Sequence, residues 1–137
     1  IAAAMGASQL ERIDAYIARR HDIAEQYDSA FADLPVTTPW RDPADRSALH
    51  LYPILVNAEA GKNRREVFET LRANGIGGNV HYIPVHIQPN YQRLGFSVGQ
   101  FPAAENYYAH VISVPMYPNL SENDQSLVEY QLSRAFE

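Results

Sequence analysis

The sequence predicts an α/β (α+β) two-layer sandwich, in which helices pack on a small sheet of about three strands. Three observations lead there. Helix-like and strand-like stretches alternate along the chain, beginning and ending on a helix, and the strands are short. Most of these stretches are bounded by Pro, Gly, Asn or Ser at positions where those residues start or stop an element. The 137 residues, 46% hydrophobic and 20% charged, suit one domain with a single core. The strands are too few for a complete doubly wound nucleotide-binding domain.

The elements follow in order. Ser8 to Leu34 predicts one long helix, with Leu10, Ile13, Ile17, Ala24, Tyr27, Phe31 and Leu34 forming an apolar stripe interrupted at Arg20. Such a helix would run roughly 40 Å, enough to span the fold or reach past it. Pro35 and Pro39 end it, and residues 37–47 form a surface loop. Leu49 to Asn57 is rich in aliphatic and aromatic residues, as strands are; Pro53, lacking a ladder donor, favours an edge or a strand start. Asn63 followed by Glu66 makes a capping box for a helix carrying Val67, Phe68 and Leu71, closed by Asn74 and Gly75. A short strand is expected over 79–83, then an irregular segment from Pro84 to about Gly99. Pro102 suits the first turn of a helix through His110, and Val111 to Val114 is a strand stopped by Pro115. Ser121 and Asp124 cap the last helix, whose buried face is expected to carry Leu127, Val128, Leu132 and Phe136.

Composition limits the function. Eleven basic against sixteen acidic residues give a net charge of −5, with no basic stripe of the kind nucleic-acid binders carry. No apolar run approaches the roughly 18 residues of a membrane span. Without cysteine there is no disulfide, thiolate metal site or cysteine nucleophile, which fits a cytoplasmic location. Ile1, in place of Met, opens straight into the helical-looking stretch Ile1–Met5, so a piece of a longer protein is expected. Lys62 is the only lysine, and it lies in a polar, cation-rich turn, where a Schiff-base amine would not be desolvated. No catalytic residue is assigned.

The thirteen residues from Asn79 to Tyr91 hold His81, His86, Tyr82 and Tyr91 together with two prolines, Pro84 and Pro89. Histidine hydrogen-bonds or moves protons near neutral pH, and tyrosine offers a hydroxyl on a flat apolar ring. The same residues could equally pack a sheet edge. A zinc site on His81 and His86 is disfavoured: their odd spacing points them to opposite faces of a strand, and no His-Glu-x-x-His pattern supports them. Gly75–Gly78 follows a helix, which favours a C-cap over a phosphate loop. Arg19–Arg20 and Arg64–Arg65 are charge pairs of solvated helix faces. No Gly-x-Ser-x-Gly elbow places a hydrolytic serine.

Several motifs in order resemble one family. Gly6–Leu10 with Arg20–Ala24 and Tyr27, Ser47–Tyr52, Val80–His86 with Pro89 and Tyr91, Phe101–Glu105 and Ser113–Pro118 are similar to the DegT/DnrJ/EryC1/StrS sugar-nucleotide aminotransferases. The resemblance spans nearly the whole chain. It implies the small C-terminal domain (residues 1–137) of an aspartate-aminotransferase-type fold, with a mostly antiparallel sheet and helices on one side. Residues 1–34 would be a long helix joining it to a larger domain that binds pyridoxal phosphate. The parent would move an amino group, from glutamate, to a UDP-linked 4-keto-6-deoxy sugar, as a homodimer; the chain alone would be inactive. His86 matches a substrate-facing histidine of the family, with Tyr91 and Tyr82 as further substrate contacts. A free-standing sugar-nucleotide or protein binding module is the competing reading.

Overall fold

The computed structural model describes residues 2–137, and Ile1 lies outside the described residues. Two helices open the chain, α1 (Ala2–Leu10) and α2 (Ile13–Ala30). The single helix expected over 8–34, and the one long helix expected over 1–34, are therefore each broken at Glu11–Arg12. There the Arg12 N–H donates to the Gln9 carbonyl at 3.1 Å. The apolar stripe explains the break. Ile23, Ala24 and Tyr27 are buried, whereas Met5, Leu10 and Ile13 are exposed and α1 buries nothing. A helix draws most of its stability from an apolar face packed on a core, and that support begins only midway along α2.

The sheet has three antiparallel strands in the order β1 (Val36–Thr37), β2 (Tyr52–Val56), β3 (Val111–Val114). β1 replaces the start of the expected loop, pairing Val36 with Val56 and Thr37 with Leu55. The strand expected over 79–83 shrinks to one bridge, in which Asn79 and Ser113 exchange backbone hydrogen bonds of 3.0 and 2.8 Å. The Asn79 side chain then takes the Val80 N–H at 2.8 Å, a local bond that competes with ladder pairing. Pro53 lies in the central strand instead of at an edge, opposite Ser113. Because the Ser113 N–H and carbonyl both face Asn79, Pro53 and Ser113 form a non-hydrogen-bonded pair. The Pro53 nitrogen therefore faces the side of β2 where β1 has already ended, and the missing donor costs no ladder bond.

Helix α3 (Arg64–Ala73) begins at a complete capping box. The Asn63 side-chain Oδ1 accepts from Arg65 and Glu66 N–H, and the Glu66 carboxylate accepts from Asn63 N–H at 2.7 Å. Asn63→Ala is expected to lower stability by about 1 kcal/mol, measured by thermal or urea unfolding. The helix closes with a Schellman motif. Gly75 (φ +80°) donates to Arg72, Ile76 donates to Leu71, and Ile76 and Leu71 are both buried. The segment 84–99, expected to be irregular, contains a 3₁₀ turn (Val85–Ile87) and the short helix α4 (Pro89–Arg93), with Pro89 at its first position. Helices α5 (Pro102–His110) and α6 (Glu122–Arg134) follow, the latter capped by Ser121 accepting from Asp124 N–H.

The core lies between one face of the sheet and helices α2, α3 and α6, which contribute Ile23, Tyr27, Val67, Leu71, Val128 and Leu132. On α6 the buried stripe is Gln125, Val128 and Leu132; Leu127, expected inside, is exposed, and Phe136 packs on the core beyond the helix end. Leu127 sits off the three- and four-residue steps joining those three positions. Gln125 ties α6 to α2 through an Nε2–H bond to the Ile23 carbonyl at 3.1 Å. Tyr27 stacks on Phe31 and tilts against Tyr52, each at 5.1 Å between centroids. The Tyr27 hydroxyl donates to the Pro115 carbonyl at 2.9 Å, and the Tyr52 hydroxyl donates to Asp28, which also pairs with Arg41. That last pair anchors the loop 38–51. The loop also receives a 2.8 Å bond from His21 Nε2 to the Ser47 carbonyl, and it carries Trp40 at 82% exposure.

Candidate functional site

Beyond the Schellman turn the chain crosses β3 at Asn79, and its histidines settle differently. His81 donates from Nδ1 to Ser113 Oγ at 2.8 Å and accepts at Nε2 from the Asn79 amide at 3.3 Å. Strand alternation puts Ser113 on the sheet face opposite Ile112 and Val114, so this bond secures the segment to the side away from the core. Tyr82 meets the His81 ring edge-on at 4.6 Å and is 70% exposed.

His86 sits in the 3₁₀ turn at only 7% exposure. Its Nε2–H donates to Glu105 Oε1 at 2.8 Å, and its ring lies 4.7 Å from that of Phe101. Glu105, in the first turn of α5, also accepts from two backbone N–H groups. Gly99 N–H reaches both carboxylate oxygens, at 2.8 and 3.0 Å, and Phe101 N–H reaches Oε1 at 3.3 Å. Gly99 has φ +91°, a backbone that side-chain-bearing residues rarely adopt. One carboxylate thus pins the 3₁₀ turn, the 99–101 loop and the start of α5 together. The His86 hydrogen bond, followed by the two amides, holds the Glu105 carboxyl below its ordinary range against the opposing effect of burial.

Three aromatic rings extend the site. Phe96 lies 6.3 Å from both Tyr91 and Phe101, and with His86, Pro84 and Val85 they line an apolar groove of about 390 Å³. An aromatic floor with one hydrogen-bonding imidazole suits a sugar or another ring with an apolar face. Of the three expected contacts, the structure brings His86 and Tyr91 together here; Tyr82 is not among the lining residues. Glu105 carried no role in the sequence reading. Its signal was a carboxylate in the first turn after Pro102, where a helix N-terminus favours negative charge. A larger groove of about 780 Å³, lined by His21, Trp40, Arg41 and His50, opens beside the 38–51 loop and holds none of the expected contacts. The smaller groove is the better candidate, because its polar group is buried and oriented.

His81 and His86 bond to different partners, and among the described residues no group of three His, Asp or Glu side chains could hold a metal ion. Arg65 pairs with Glu69 on the exposed face of α3, while Arg64 lies over the Tyr108 ring. Lys62 lines a groove with Gly61, Asn63, Arg64, Glu66 and His110. No Phe, Tyr or Trp lines it, its one ring is His110, whose Nδ1 is bonded to the Asn106 carbonyl, and its one carboxylate, Glu66, is committed to the capping box. A pyridoxal phosphate site needs a ring-stacking side chain and a partner for the pyridine nitrogen. The surroundings of Lys62 do not fit that cofactor.

Residues 1–133 match the DegT/DnrJ/EryC1/StrS aminotransferase family. The spore coat polysaccharide biosynthesis protein SpsC of Bacillus subtilis is 42% identical over 126 residues, covering 89% of this chain and 32% of that protein. The UDP-4-amino-4,6-dideoxy-N-acetyl-beta-L-altrosamine transaminase of Helicobacter pylori is 33% identical over 138 residues, covering 100% of this chain and 36% of that protein. Among solved structures, Helicobacter pylori PseC, an aminotransferase of pseudaminic acid biosynthesis, superposes with a TM-score of 0.87 at 31% identity over 97% of this chain and 36% of that one. Streptomyces venezuelae DesV, in complex with a ketimine intermediate, superposes with a TM-score of 0.89 at 29% identity, over 98% of this chain and 36% of that one. The chain spans about a third of the length of the curated relatives it matches.

Proposed function

The chain belongs to the DegT/DnrJ/EryC1/StrS aminotransferase family, and from that premise we propose that it is the small domain of a pyridoxal-phosphate-dependent sugar-nucleotide transaminase. Residues 1–137 form the domain, and α1 and α2 join it to a larger one that holds the cofactor. The parent transfers an amino group from glutamate to a UDP-linked 4-keto-6-deoxy hexosamine of the kind handled in pseudaminic acid synthesis. It works as a homodimer in the cytoplasm. Support comes from the relatives named above, from their threefold greater length, and above all from the groove between α4 and α5.

In this reading the cofactor supplies the electron sink, and this chain supplies fit. Tyr91, Phe96 and Phe101 cover an apolar face of the sugar and keep water from it, and His86 hydrogen-bonds one sugar substituent. Tyr82, outside the groove, meets the substrate only from its rim. Orientation of this kind is costly to lose, since small misplacements lower rate steeply.

The test is turnover by the full-length protein bearing this chain, given glutamate and the keto sugar nucleotide, with 2-oxoglutarate as the readout. His86→Ala is expected to lower kcat/KM by about tenfold, the value of one well-made hydrogen bond. Lys62→Ala should leave the rate unchanged, and the 137-residue chain alone should not turn over. Absence of 2-oxoglutarate from the full-length protein would overturn the proposal. Binding of UDP-sugars by the isolated chain as tight as that by the full-length protein, with no turnover by the latter, would favour the binding-module reading instead.

A further inference from the structure

The side chain that decides how His86 meets a ligand is Glu105. An ionised carboxylate only accepts hydrogen bonds, so the nitrogen facing it must carry the proton. That nitrogen is Nε2, at 2.8 Å. The carboxylate cannot swing away to release it, because Gly99 and Phe101 N–H groups hold the same two oxygens. The other nitrogen, Nδ1, has no hydrogen-bond partner among the described residues, and it is not among the polar atoms sealed from solvent. The ring to which it belongs lines the groove.

We infer that Glu105 is a positioning residue that fixes His86 as the Nε2–H tautomer, so that Nδ1 is the groove's acceptor and selects a ligand group that donates a hydrogen bond. For a sugar that group is a hydroxyl or an amide N–H; a keto or phosphate oxygen, having no proton, is not taken at this point. The tautomer follows from this chain's own geometry. The sugar as ligand rests on the function proposed above, and the experiment separates the two.

The measurement is a long-range ¹H–¹⁵N spectrum of the histidines in the full 137-residue chain at pH 8, where the two ring nitrogens of each tautomer are distinguishable. The expected result is a protonated Nε2 and a bare Nδ1 for His86. A proton on Nδ1 in the unaltered chain overturns the inference without any variant having to fold. In E105Q an oxygen at the Oε1 position still accepts from Gly99, Phe101 and Nε2, so the tautomer is expected to persist, whereas Glu105→Ala removes the acceptor and is expected to give a mixture of the two tautomers. A folded Glu105→Ala with the proton still wholly on Nε2 overturns the inference as well. UDP-N-acetylglucosamine is then titrated. A shift at the His86 Nδ1, with about five- to tenfold weaker binding to Glu105→Ala, supports both claims. The expected tautomer with a His86 signal unmoved by the sugar nucleotide leaves Glu105 as the positioning residue and overturns the sugar as the ligand.

Discussion

Tyr27→Ala is expected to cost about 3–5 kcal/mol, a large part of the 5–15 kcal/mol that holds an ordinary domain together. Tyr27 is fully buried on α2 and touches both Phe31 and Tyr52, so its removal opens a cavity where the helix layer meets β2. Its hydroxyl also fixes the end of β3 through the Pro115 carbonyl. Packing and hydrogen bonding separate by comparison with Tyr27→Phe, which keeps the ring and is expected to cost only about 1 kcal/mol. Urea unfolding of both variants checks this. Equal losses would mean that the hydroxyl, and not the ring, carries the contribution.

Alkaline pH is expected to unfold the chain through the same cluster. Burial raises the phenol pKa of Tyr27 above its ordinary value, reinforced by the nearby Glu129. Burial does the same for Tyr52, whose hydrogen bond to Asp28 adds to the effect. The unfolded chain would ionise these phenols near pH 10, so the folded state binds their protons more tightly than the unfolded one. Stability is therefore full below about pH 10, and it falls as pH rises toward the higher folded values. Each phenol contributes up to about 1.4 kcal/mol per pH unit. Unfolding free energies from pH 8 to 11.5 should bend downward above pH 10, and Tyr27→Phe should remove part of that slope. A flat profile through pH 11.5 would contradict it.

The sequence was most informative where local chemistry alone decides. The Asn63–Glu66 box, the Gly75 turn, Pro102 at the start of α5 and the stop at Pro115 all depend on residues within a few positions of each other. Errors cluster where a distant partner decides. Val36 and Thr37 are a strand only because β2 lies beside them, and 79–83 is not one because a single bridge to Ser113 satisfies it. The apolar stripe through α1 and α2 has the right period along its length, yet only its second half meets a core. At the candidate site, His86 and Tyr91 were legible from their motif. Glu105 was not, because its role depends on three groups brought to it by the folding of the 84–101 segment.

The single tryptophan, Trp40, projects from the 38–51 loop, far out in solvent. Its indole emission should already peak at long wavelength in the native chain and shift little on denaturation. Fluorescence excited at 295 nm would thus be nearly blind to collapse of the tyrosine-centred interior. It would report instead on anything that comes to rest against that loop.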